Sequence, residues 1–152
     1  MHRISIQEQD FCLQQELQAL ESSVSNTGAM VSFTGKVRGH DHDKALSHLF
    51  LEYFPGVTEK EIEKIILQAK AQWPIHYVRV IHRVGRIAVN ENIVLVLTAS
   101  EHRKAAYQAN EFIMDYLKTH APFWKKEHFV DGSSHWVEMK QSDLEHTACW
   151  QA

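Results

Sequence analysis

Residues 92–129 read "NIVLVLTASEHRKAAYQANEFIMDYLKTHAPFWKKEHF", and much of the fold is decided there. Asn92 to Ala99 is aliphatic almost throughout, which predicts a strand buried on both faces. Arg103 to His120 switches to helical spacing, with Ala106, Ala109, Ile113 and Leu117 on one stripe. Pro122 stops that helix. Its ring would clash with the carbonyl of Lys118, and it biases Ala121 away from helical geometry. The helix should end near His120, and the chain then turns back through Phe123 and Trp124.

Outward from this core the elements follow from periodicity. Met1 to Gln7 alternates weakly around Ile4 and Ile6 and reads as a strand, and Glu8 to Ser22 reads as a helix carrying Phe11, Leu13, Leu17 and Leu20. Ala29 to Val37 and Leu46 to Tyr53 are predicted strands, the second alternating cleanly. Thr58 with Glu61 makes a capping box, after which Ile62, Ile65, Ile66 and Ala69 recur at helical spacing. His76 to Arg83 is a further strand, and Ser134 to Lys140 a final one. The order β-α-β-β-α-β-β-α-β does not alternate regularly. It predicts an α+β fold with a mixed or antiparallel sheet and two main helices, rather than a doubly wound parallel sheet. Pro55, Pro74 and Pro122 fall where elements should end, and no linker or repeat interrupts residues 1–152, so a single domain is expected.

The totals narrow the function classes. Hydrophobic residues at 44% and charged residues at 23% fit a soluble globular chain. No apolar run approaches the roughly 20 residues that span a bilayer. "MHRISIQEQDF" lacks a hydrophobic signal core, so a cytoplasmic location is expected. Cys12 and Cys149 sit near opposite ends without metal spacing, which suits a reduced chain, with one disulfide left open. A net charge of −3 argues against a nucleic-acid binder relying on bulk positive potential. Basic residues still gather locally, as a binder of small anions requires.

The candidate chemistry starts with Lys118 and Lys125, which lie among tyrosine, leucine, phenylalanine and tryptophan. A helix end followed by a turn can bring both ammonium groups to one pocket rim. Aromatic neighbours would partly desolvate them, and each cation disfavours the other's charge, so both pKa values should fall. A lysine tuned in this way serves as a nucleophile or general acid/base near neutral pH. The plainer reading is a lysine complementing the helix dipole with its stem packed on rings.

Two basic loops accompany the lysines. "FTGKVRGHD" puts Lys36 and Arg38 just past a strand, with Gly35 allowing close backbone approach to a ligand. "ASEHRKAA" puts His102 and Arg103 at a strand-to-helix junction, where Ser100 or Glu101 would cap the helix and its first-turn amides would face an anion. Either loop alone also reads as solvated surface charge. Eleven histidines raise a metal question, chiefly through His40, Asp41, His42 and Asp43, but no accompanying ligand motif supports it and no metal is expected.

Together, "VSFTGKVRGHD", "LEYFPGVTEKEI", "VIHRVGRI", "SEHRKAAYQANEFIMDYLKTHAPFWKKE" and "WVEMK" resemble the family of molybdopterin synthase large, catalytic subunits. The resemblance runs from about Met30 to Lys140 and is most specific over "FIMDYLKTHAPFWKKE". It implies an α/β-hammerhead-type fold and a sulfurtransferase of molybdenum-cofactor biosynthesis that needs no cofactor of its own. A small ubiquitin-like subunit would bring sulfur as a thiocarboxylate on its C-terminal Gly-Gly tail. The acceptor would be cyclic pyranopterin monophosphate, which becomes the dithiolene of molybdopterin, and the large subunits would form a homodimer within a heterotetramer.

Residue by residue, Lys118 matches the family's principal catalytic lysine and Lys125 its second. Lys36, Val37 and Arg38 match the strand-end loop at the substrate, and His102 with Arg103 the other anion-binding pair. Lys126 and Glu127 complete the motif, although Lys126 stands where the family often has arginine, which weakens any bidentate contact there. Lys140 matches a basic residue that reaches a neighbouring protomer's site. Two other readings compete: a catalytically silent homologue that docks a ubiquitin-like tail or a phosphorylated pterin, and a binder of single-stranded nucleic acid.

Overall fold

The computed structural model describes residues 1–151. In chain order its elements are β1 (His2–Gln7), α1 (Leu13–Ser23), β2 (Ala29–Lys36), β3 (His40–Asp41), β4 (Lys44–Tyr53), α2 (Val57–Gln72), β5 (Ile75–Arg83), β6 (Gly85–Ala88), β7 (Asn92–Ser100), α3 (Arg103–His120), β8 (Phe123–Phe129), β9 (Ser134–Trp136) and α4 (Gln141–Gln151). One sheet has the order β1-β5-β7-β2, and the other runs β3-β4-β8-β9 with β6 also paired to β4. β1 lies parallel to β5, while the remaining pairs are antiparallel. The mixed α+β expectation holds, with α2 and α3 the longest helices.

The predicted two-faced burial of β7 explains the layering. Val94 and Val96 pack against Ile62, Ile66, Phe112 and Ile113 of α2 and α3. Leu95 and Leu97 face the other way and meet Leu20 of α1 together with Tyr77 and Ile81 of β5. A third, smaller core of Val37, Leu49, Leu51, Val84 and Ile87 joins the two sheets. Cys12 and Cys149 are free and exposed, so no disulfide links them. Among the described residues, no helix is long and apolar enough to cross a membrane.

Several boundaries differ from expectation. α1 begins at Leu13 rather than Glu8, because Arg83 donates to the Glu8 carbonyl from Nε at 3.0 Å and from a terminal nitrogen at 2.9 Å. Thr58 and Glu61 do not form the box that starts α2. Gly56, at φ +85°, is the N-cap, and its N–H is taken by the Glu59 carboxylate at 2.8 Å. Ser134 to Lys140 is a strand only as far as Trp136. β3, β6, β8 and α4 were not foreseen. α4 has little amphipathic pattern, and it docks chiefly through buried Thr147 and through Trp150, whose indole donates to Asp115 at 2.7 Å.

Candidate active site

A cleft of about 640 Å³ opens where the C-terminal end of α3 meets β8 and the end of β2. That volume suits a small organic ligand. Its apolar wall includes Leu51, Ile93, Met114, Leu117 and Phe123. Lys36, Arg38, Lys118, Lys125 and Lys140 line it against only Glu138 and Asp143, so its charge is predominantly positive. The sequence explains how the two motif lysines meet. Lys118 sits in the last turn of α3, Ala121 is extended at φ −85° and ψ 126°, and β8 then carries Lys125 back into the same space.

The lysines differ in environment. Lys125 is half-buried, and its pKa is pulled down first by burial and then by the charges of Lys118 and Lys140, with Glu127 opposing and Arg38 adding. Lys118 is exposed at the rim, so the aromatic collar expected around both lysines does not enclose it. Trp124, 47% exposed, is not part of that collar.

His82 is a cleft residue that sequence reasoning passed over. It stacks on Phe123 with ring centroids 3.8 Å apart and planes 16° from parallel. Its Nδ1 lies 2.9 Å from the Arg83 carbonyl, which can only accept. That contact fixes the proton on Nδ1 and leaves Nε2 as an acceptor. Burial pushes its pKa down to about 4, helped by the Lys125 and Lys118 charges and opposed by the bond to Arg83. The imidazole is therefore neutral at physiological pH. The one available signal was a histidine at a position where β5 is otherwise closed to solvent.

The other expected site residues divide. Lys36 lines the cleft and anchors its ammonium on the Asn90 carbonyl at 3.3 Å, while Arg38 lines it with its guanidinium 3.8 Å from Asp41. Gly35 makes room for a neighbouring strand as much as for a ligand, since a Cβ there would meet the Val94 side chain at 2.9 Å. Val37 is 2% exposed and belongs to the core between the sheets, its N–H held by the Glu91 carbonyl. Lys126 lies on the opposite strand face from Lys125 and places its ammonium 5.4 Å from the Trp136 ring centre, outside the cleft. Glu127 is buried and does not line the cleft. Lys140 lines this chain's own cleft.

His102 and Arg103 stand apart. They are exposed at the N-terminal end of α3, beside a separate depression shared with Gly28, Lys104 and Tyr107. His102 is the N-cap without a side-chain bond, in place of Ser100 or Glu101, and Ser100 instead donates to the His102 carbonyl. Arg103 and Lys118 are separated along the helix axis by about 22 Å at 1.5 Å per residue. One copy of the chain cannot bring both to one small molecule.

The fold and cleft define a class: an α+β domain with a preformed cationic cleft at the junction of a helix end and two sheets. The family model described as "MoaE protein" matches residues 6–120, and the chain belongs to the MoaE family. It is 49% identical to a protein of Mesorhizobium japonicum named "Molybdopterin synthase catalytic subunit", over 98% of this chain and 93% of the relative. A protein of the same name from Vibrio cholerae is 46% identical over 99% of each. Among solved structures, the molybdopterin biosynthesis MoaE protein of Burkholderia ambifaria MC40-6 superposes with a TM-score of 0.85 at 42% identity, covering 100% of this chain and 99% of that one.

Proposed function

We propose that this chain is the catalytic subunit of a molybdopterin synthase, moving sulfur from a C-terminal thiocarboxylate of a small ubiquitin-like subunit to cyclic pyranopterin monophosphate. The observation that carries this reading is the meeting of Lys118 and Lys125, from two elements separated by Pro122, in one cationic cleft. Both reacting partners are anions, and preformed cations over an apolar wall are worth more there than in water. Lys36 and Arg38 hold the phosphate, and Arg38 supplies the planar fork. Lys118, exposed at the rim, meets the incoming tail and polarises its thiocarboxylate. Lys125, with its lowered pKa, moves the proton that accompanies displacement of the pterin oxygen.

The same reading makes the chain a homodimer within a heterotetramer, working in the cytoplasm. His102 and Arg103, too far from Lys118 on one copy, serve the cleft of the other. Supporting this, β2 is the outer strand of its sheet and exposes Met30 and Phe33.

The test mixes the protein, a thiocarboxylated small subunit and cyclic pyranopterin monophosphate, then quantifies molybdopterin as its fluorescent oxidised derivative. Wild type forms product, and Lys118→Ala lowers the rate by roughly 100-fold or more. A wild type that binds the small subunit yet forms no product would identify a silent docking homologue instead.

A further inference from the structure

Outside the cleft, one buried carboxylate oxygen lacks a hydrogen bond. Glu127 is 4% exposed, and its Oε1 is buried without a hydrogen bond. Two imidazoles converge on that oxygen from separate elements. His135 of β9 places Nε2 at 3.0 Å, close enough for a hydrogen bond but not aligned as one. His42, in the turn between β3 and β4, places Nε2 at 3.8 Å. The two rings meet edge to face with centroids 4.9 Å apart, and the three donor atoms all lie within 4.8 Å of one another.

These separations are compatible with a shared ion. Ligands of a tetrahedral ion with bonds of about 2.0–2.1 Å stand roughly 3.3 Å apart. The two measured contacts to Glu127 bracket that value, and His42 lies on an exposed turn that can close the remaining distance. Two imidazoles and one carboxylate are a donor set for zinc and its neighbours, whereas calcium and magnesium demand more oxygens. A second carboxylate, Asp41, stands 3.8 Å from His42 Nε2.

We propose that His42, Glu127 and His135 form a site for one zinc-class divalent ion, clipping the β3–β4 turn onto β8 and β9. The site is distinct from the cleft but adjacent to it. Glu127 follows Lys125 by two residues on the same strand face, and Asp41 contacts Arg38 of the cleft at 3.8 Å. Occupancy would therefore steady the Arg38 loop. The inference does not depend on the proposed reaction.

The test strips the full chain with a chelator and titrates it with Zn²⁺ by calorimetry, and with Co²⁺ by visible ligand-field absorption. The expected result is one ion per chain and a tetrahedral cobalt spectrum. Loss of a residue that merely supports a ligand costs roughly 10–100-fold in affinity, so His42→Ala, Glu127→Gln and His135→Ala should each cost at least that. His128→Ala is the control, since His128 lies on the same strand as Glu127 but stacks on His48 of β4. Its affinity should match wild type. Absence of Zn²⁺ binding would reduce the cluster to an ordinary ion pair. Binding that ignores the three ligand variants, or falls equally in His128→Ala, would mark adventitious uptake by a histidine-rich surface. Either result overturns the proposal.

Discussion

The Thr58 hydroxyl donates a hydrogen bond to the Pro122 carbonyl at 2.9 Å and accepts one from the Phe54 N–H, also at 2.9 Å. Thr58 is fully buried, so the first turn of α2 is tied to the corner between α3 and β8. That corner separates Lys118 from Lys125. Its position decides whether their ammonium groups share one cleft, and one hydroxyl ties it to α2.

Thr58→Val keeps the shape and removes both bonds. It leaves the Phe54 N–H and Pro122 carbonyl without their partner, which should cost about 1–3 kcal/mol. The loss is measured as a lower urea midpoint at unchanged slope. Thr58→Ser restores the hydroxyl and should recover most of it. Wild-type stability in Thr58→Val would mean that apolar packing alone holds the corner.

Lys125 should titrate under the influence of the Lys118 charge. After burial, the Lys118 charge is the largest influence lowering the Lys125 pKa. Lys118→Ala removes that repulsion, so the Lys125 pKa should rise toward its ordinary value, and Lys118→Arg should leave it low. Lys140→Ala should produce a smaller rise, because Lys140 is the weaker of these two influences. NMR titration of the lysine side-chain carbons reads the shift directly. An unchanged Lys125 in Lys118→Ala would show that the ammonium groups do not act on each other, and would remove the electrostatic basis for assigning proton transfer to Lys125.

The lysine pair was legible because Pro122 is a covalent constraint that no packing overrides. β7 and the stripe of α3 were legible for a similar reason: their apolar pattern is strong enough to impose burial. β8 was not, although it carries half of the site. Its inward positions hold Phe123, Lys125, Glu127 and Phe129, so two charged residues stand where a strand pattern needs apolar ones. The chemistry erased the periodicity. Thr58 misled in another way, because its local spacing to Glu61 resembles a helix cap while its hydroxyl is used across 64 residues of sequence. The histidine-rich turn was read as having no further ligands, since Glu127 and His135 join His42 only through the pairing of β8 with β4 and β9. Long-range pairing of that kind leaves no local signature.

His82 gives the fold a specific acid sensitivity. Its folded pKa of about 4 lies below the ordinary 6.5, so between those values the unfolded chain binds a proton that the folded chain refuses. Stability must then fall as pH drops from about 6.5 toward 4 and be indifferent to this group below that window. The full difference is worth at most about 3 kcal/mol, less to the extent that solvent reaches the ring. Other groups titrate in the same range, so the informative quantity is the difference between wild type and His82→Asn, which cannot be protonated. Urea unfolding at a series of pH values should show the wild type losing more stability than the variant across this window, with the curves running parallel above it. Parallel curves throughout would mean that His82 accepts a proton in the folded cleft as readily as in water, and that neither burial beneath Phe123 nor the two lysines keeps the imidazole neutral.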